Sequence, residues 1–281
     1  MFKVIMASAL ALLLSACGSM PSRIALDPTT KHKIKEVNII NVLSQDEVIV
    51  RAESFGATMA LGGGLIGAII DSKVAEGRQN TIQETIAPFY AAVDSYDFRT
   101  HFERSLGNSL LNNAAIKFSQ IESTGLIPLL QDMSARTNKL KADSGQMYIR
   151  TSYTFTSDFT RINVDTYVEL RVPGSETPVF KNNFFYQSKT AGTGGADSIK
   201  IWSDKMGETY RATMNEATEE ITKMLQLDLA ASATDPQPLQ PIVIAKIDGA
   251  TKNNISGNLL ASSADRKILR NNQGNVYSLP Q

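Results

Sequence analysis

Cysteine is almost absent from this chain, with one among 281 residues, and histidine and tryptophan are nearly as scarce at two and one. A single thiol, Cys17, cannot form an internal disulfide or assemble a thiolate metal site, so stability has to come from packing. His32 and His101 are poor material for a hydrolase triad, and no G-x-S-x-G elbow, H-E-x-x-H pair or clustered His and carboxylates appears. The adjacent acids Asp46 and Glu47, and likewise Glu219 and Glu220, point apart on any strand or helix and read as solvated. Asp165 and Glu169 fall on the polar side of a strand, where a wet face normally carries such residues, and Trp202 and Tyr210 read as core. An excess of one charge is also missing: 28 Lys and Arg balance 28 Asp and Glu. No basic block interleaved with aromatics points to nucleic acid. No cofactor and no enzymatic activity are expected.

Long apolar runs are lacking as well, but a short one opens the chain. Met1-Phe2-Lys3 is a basic leader, and residues 4–14 are apolar over about the length of a signal-peptide core, too short to cross a bilayer stably. Leu14-Ser15-Ala16-Cys17 closes that run and places the lone thiol beside two small residues. The arrangement resembles the lipobox of bacterial lipoproteins. That resemblance implies removal of residues 1–16, diacylation of the Cys17 thiol and acylation of its new amino group, and Gly18-Ser19 after the cysteine leans toward the outer membrane. Two or three acyl chains, at about 0.8 kcal/mol per buried methylene, hold a protein on a membrane where one does so only marginally. The expected location is the periplasmic face of the outer membrane, with the inner membrane and the cell surface ranked lower. Residues 17–30, with Pro21 and Pro28 and no apolar periodicity, read as a tether.

With 42% hydrophobic and 20% charged residues the chain can bury a core, and residues 31–229 read as one main domain. β-Branched runs at 37–43 and 48–52, separated by Ser44-Gln45-Asp46-Glu47, suggest a hairpin. Helical spacing appears over 81–93, where Pro88 starts, kinks or interrupts it, and over 98–112, with Phe98, Phe102, Leu106 and Leu110 on one stripe and Asp97 as N-cap. Between 147 and 187 a three-strand meander alternates cleanly. Met147, Ile149, Tyr153 and Phe155 oppose Arg150, Ser152 and Thr154, and the next two runs repeat the pattern. A long helix over 203–227 turns Met206, Tyr210, Met214, Ala217, Ile221 and Leu225 inward. The fold class is α+β: an antiparallel sheet including the meander, helices on one face, a two-layer sandwich. Residues 230–241 form a Pro-rich linker. Residues 242–281 make a short β-prone appendage that either docks or stays an arm that orders on a partner, since forty residues rarely hold a core alone.

Residues 54–70 contain no charge and many glycines. Gly62, Gly64 and Gly67 match G-x-G-x-x-G, but no clear strand precedes them and no ribose-binding acid follows in context, so a dinucleotide site is disfavoured. Two readings stay open. One is a glycine-rich connection against the core. The other is an interaction surface of Gly56, Ala60, Gly63, Gly64, Gly67 and Ala68, because Ala60, Gly64 and Ala68 recur at i, i+4, i+8 and Gly63 with Gly67 forms G-x-x-x-G, a spacing that lets helices touch in lipid.

The order of elements over 33–229 is similar to that of small α+β lipoproteins serving envelope transport or assembly, from which the Gly-rich insertion departs. The resemblance implies a non-enzymatic binding or scaffold role, with the membrane as one partner and another envelope protein as the second, contacted through the sheet rim or the C-terminal arm. The alternative is an oligomeric channel or secretion component built with residues 54–70, and a second copy of the chain, in a homo-oligomer, is the possible partner there. An envelope hydrolase ranks third.

Overall fold

The computed structural model describes residues 23–45, 48–50, 72–111, 116–231, 242–247 and 253–281. A short helix α1 (Pro28–Lys33) leads into β1 (Glu36–Val42) and β2 (Ile49–Val50), then helices α2 (Ser72–Val93) and α3 (Phe98–Leu111). Next come β3 (Phe118–Thr124), α4 (Leu130–Thr137) and the meander β4 (Ser144–Phe155), β5 (Ile162–Arg171) and β6 (Phe180–Gln187). A long helix α5 (Gly195–Ala230) is followed by β7 (Ile242–Ile247), β8 (Asn253–Ser262), β9 (Arg266–Asn271) and β10 (Val276–Pro280). Among the described residues all ten strands belong to one sheet, ordered β3-β1-β4-β5-β6-β10-β9-β8-β7 with β2 also on β4. The fold is α+β, with α2, α3 and α5 packed together on one face.

Alternation explains the meander. Met147, Ile149, Tyr153 and Phe155 of β4, Ile162, Val164, Val168 and Leu170 of β5, and Phe180, Phe184 and Tyr186 of β6 all enter the main core. There they meet Phe98, Phe102, Leu106 and Leu110 of α3 and Tyr210, Met214, Ala217, Ile221 and Leu225 of α5. Edge-to-face rings knit the layers: Phe89 of α2 lies 5.2 Å from Phe155 and 5.0 Å from Tyr210, and Phe98 lies 4.5 Å from Tyr153.

The sheet is mixed, antiparallel through the meander and from β7 to β10. β1 runs parallel to both β3 and β4, β2 is parallel to β4, and β10 is parallel to β6. The hairpin expected over 37–52 therefore does not exist. β1 and β2 lie one after the other along the same edge of β4, and Gln45 bridges the gap: its side-chain amide accepts from Tyr153 N at 2.9 Å and donates to Tyr153 O at 3.0 Å, in place of a backbone peptide. The polar face is not uniformly wet either. Met133 of α4 covers Ile40, Val42 and Tyr148, and Phe185, Leu269 and Leu279 form a second small cluster with Tyr277.

The long helix starts eight residues earlier than its apolar periodicity suggests and is broken at 204–207, where Lys205, Met206 and Gly207 have positive φ. The break turns Met206 outward, 69% exposed, instead of into the core. A Cβ on Gly207 (φ +75°) would stand 2.6 Å from Val93 Cγ1, so α2 ends against a position where only glycine fits.

Within residues 242–281 the last strand docks: β10 extends the meander through Val276, Tyr277 and Ser278 opposite Phe184, Phe185 and Tyr186. Its lock is polar. Asp228 of α5, fully buried, accepts from Arg23 Nε at 2.9 Å, Arg270 Nη2 at 2.6 Å and Asn182 Nδ2 at 2.7 Å. Higher on the same helix, Glu216 and Glu220 reach across to the end of the chain. Arg266 donates to Glu216, Ser278 and the Gln187 carbonyl while lying 4.3 Å over the Tyr186 ring, and Ser278 donates to Glu220.

Asp228→Asn leaves the buried Arg270 and the half-buried Arg23 without a counter-charge and is expected to lower unfolding free energy by about 3 kcal/mol, read by urea denaturation. Asp97 caps α3, accepting from Thr100 N at 3.1 Å and Thr100 Oγ1 at 2.6 Å, and the Thr100 hydroxyl, then its N–H, hold the carboxyl below its ordinary value. A depressed carboxylate stabilises above its unfolded pKa and loses that contribution as pH falls through the folded one. Asp97→Ala is expected to cost about 1 kcal/mol at pH 7, the difference shrinking below the ordinary aspartate value of 3.8.

Candidate interaction surface

Cys17 and the residues Gly56, Ala60, Gly63, Gly64, Gly67 and Ala68 lie outside the described residues, as do Asp46 and Glu47. The other residues singled out in the sequence are not brought together. His32 sits exposed on the last turn of α1. His101, on α3, contacts the Asn215 amide oxygen through Nε2 and lies 5.5 Å from the Tyr96 ring. Burial pushes the Tyr96 phenol up to about 12, and it pushes the Tyr210 phenol well above its ordinary value. Trp202 is core, its indole N–H donating to Phe159 O at 2.7 Å.

On the polar sheet face Glu169 is already engaged. Arg171 Nε donates to one oxygen at 2.9 Å and the Tyr167 hydroxyl to the other at 2.7 Å, while Arg150 lies 4.4 Å over the Tyr167 ring. Asp165 stands four residues away on β5, about 13 Å along the strand, opposite Ser152 and Phe185. No acidic pair forms there. Glu220 points to Ser278 and Lys223, whereas Glu219 is exposed. Among the described residues no three His, Cys, Asp or Glu side chains converge as metal ligands, and no helix is long and apolar enough to cross a membrane.

What the fold does assemble is an apolar tip that the sequence reading passed over. Between β3 and α4 the chain reads Gly125-Leu126-Ile127-Pro128-Leu129-Leu130, and four large side chains are exposed: Leu126 81%, Ile127 44%, Leu129 62% and Leu130 63%. The turn is built locally. Thr124 Oγ1 accepts from Leu126 N at 3.1 Å, Arg99 packs 3.6 Å from where a Gly125 Cβ would stand, and Leu129 O accepts from the Asp132 and Met133 amides to start α4. Met133, one turn on along the same side, is the residue that buries α4 against Ile40, Val42 and Tyr148, so the helix covers the sheet from Met133 onward while Leu129 and Leu130, in the turn before it, are left exposed. Leu129, Leu130, Gln131 and Ser134 line a shallow open groove.

Position adds meaning. β3 is the outermost strand on its side, with β1 as its single partner among the described strands, so its second backbone edge lies beside the tip. A Leu side chain moved from water into an apolar contact contributes about 1.5–3 kcal/mol, and four such groups on six residues are available to something other than this core. The signal in the sequence was the apolar run at 126–130 interrupted by Pro128, which neither strand nor helix periodicity accounts for. Replacing Leu126, Leu129 and Leu130 together by Ser is expected to change unfolding free energy by no more than about 0.5 kcal/mol per site, because nothing in the body rests on them; a urea titration checks it.

The chain matches no model of a known protein family and no curated protein.

Proposed function

We propose that this protein is an outer-membrane-anchored periplasmic lipoprotein with a non-enzymatic binding or scaffold role in envelope assembly or transport. The lipobox-like Leu14-Ser15-Ala16-Cys17 supports the anchor. The observation that carries the binding role is the exposed tip of Leu126, Ile127, Leu129 and Leu130 beside the outer edge of β3. Exposed apolar groups clustered at one point mark contact sites for other molecules. A sheet edge of this kind accepts an added strand.

The tip and the first described residues lie at opposite ends of the sheet. Ile24 bridges to Lys181, the second residue of β6, whereas Thr124 closes β3 opposite Val42, the last residue of β1. An anchor acting through residues before 23 leaves the tip directed away from the bilayer, toward a partner.

An oligomeric channel or secretion component is the second reading, favoured by one feature: β2 ends at Val50 against Phe155, the last residue of β4, so the Gly-rich run is joined to the body at the end that carries the apolar tip.

The test exploits the scarcity of cysteine. Leu129→Cys, treated with a thiol-directed crosslinker in native membranes, is expected to yield a discrete adduct that Glu219→Cys does not. Equal labelling at both positions, or none, sinks the binding surface. Mass spectrometry of the amino-terminal peptide reads the anchor separately, the expected species being an acylated Cys17. Size measurement of the lipidated protein distinguishes the two readings, a ring-sized particle favouring the channel.

A further inference from the structure

The end of the sheet opposite the apolar tip collects lysines from separate segments of the chain. Lys33 and Lys35 precede β1, Lys117 precedes β3, and Lys139 and Lys141 precede β4; all five are exposed. Because β1, β3 and β4 run parallel, their starts must lie side by side. The backbone confirms the neighbourhood: Lys35 N donates to Asp143 O at 2.8 Å, Val37 N to Lys117 O at 2.9 Å, and Ser144 N to Lys141 O at 3.0 Å. Lys35 pairs with Asp143 at 2.9 Å, and among the described residues Lys33, Lys117, Lys139 and Lys141 form no ion pair. The carboxylates at that end are largely engaged: Asp27 caps α1, Asp143 is held by Lys35, Glu169 by Arg171 and Asp228 by Arg23 and Arg270, while Glu36 and Glu176 remain. In a chain whose formal charges cancel, such a grouping is an asymmetry created by topology.

The first described residues arrive at this same end. Arg23 is clasped by Asp228, and Lys31 Nζ donates to the Leu229 carbonyl at 2.9 Å, fastening the start of the chain to the last turn of α5. Six residue steps separate Cys17 from Arg23, a reach of at most about 20 Å. Three strand spacings, about 14 Å, separate the Ile24 bridge on β6 from the lysines beside β1. A group attached at Cys17 is therefore tied within that reach of Arg23.

We propose that the end of the sheet carrying Lys33, Lys35, Lys117, Lys139 and Lys141 docks on an anionic phospholipid surface, so that the anchor holds an oriented body. The inference rests on the membrane anchoring proposed above and identifies which face meets the lipid. Lysine near an anionic bilayer strengthens binding by about fivefold per residue at physiological ionic strength, the attraction falling off within a Debye length of about 8 Å.

The experiment uses the full chain with Cys17→Ala, made without acylation, so that the leader contributes equally to every sample and no acyl chain masks the lysines. Co-sedimentation with vesicles containing about one third phosphatidylglycerol is expected to exceed that with pure phosphatidylcholine at least tenfold and to fade at high salt. Changing all five lysines to Gln is expected to abolish the excess with the urea midpoint unchanged. Lys189→Gln, Lys200→Gln and Lys205→Gln together, at the other end of the sheet, are expected to leave it intact. Equal retention on both kinds of vesicle, or an excess that survives the five Gln changes, overturns the proposal. An unmodified Cys17 in the cell-derived protein would overturn the anchor instead, a result read in a different assay.

Discussion

One carboxylate gathers the far-separated parts of this molecule. Asp228 stands near the end of α5, with no exposed surface, and binds the first described residues through Arg23, the meander through Asn182 and the last hairpin through Arg270. Burial lowers the Arg270 pKa from its ordinary value, and the nearby Arg23 adds to that, against the opposing pull of Asp228. A buried ion cluster of this kind adds little net stability compared with an apolar core, yet it is intolerant of losing one member. Its role is specification: it fixes where β9 and β10 sit, and it holds Arg23, the first described residue, against the closing helix.

That clasp gives the body a direction. Parallel pairing of β1, β3 and β4 sends all their starts to one end, where the lysines gather, and all their ends to the other. The segment that returns from β3 to β4 crosses over the polar face as α4 and exposes Leu129 and Leu130 at the start of that helix. A basic end, where the first described residues arrive, and an apolar end opposite it are thus consequences of one topological choice, not of separate motifs.

Much of the sheet was legible in the residues. The clean two-residue period from Met147 to Gln187 marked three strands, and the stripe of Phe98, Phe102, Leu106 and Leu110 with Asp97 before it marked a capped helix. Other parts were hidden for physical reasons. β3 reads Phe-Ser-Gln-Ile-Glu-Ser-Thr, and an edge strand that is solvated along most of its length carries little apolar signal. The false hairpin arose because a turn and a gap filled by Gln45 look alike when only the flanking strands are apolar. Met206 was placed inward by helical spacing, which assumes an unbroken helix; positive φ at Lys205, Met206 and Gly207 resets the phase. The lysine end had no signal at all, since its members come from three stretches of the chain, around 33–35, 117 and 139–141, that only the sheet brings together.

By themselves the residues determined the α+β class, the meander and its core-facing side, the N-cap of α3 and the lipobox-like placement of the only cysteine, because each depends on neighbours within a few positions. Tertiary structure alone decided the parallel pairing of β1 with β3 and β4, the docking of β10 on β6, the sharing of Asp228 by two arginines and the opposition of basic and apolar ends. Those features depend on which distant segments meet, and a periodicity along one chain carries no information about its partners across the sheet.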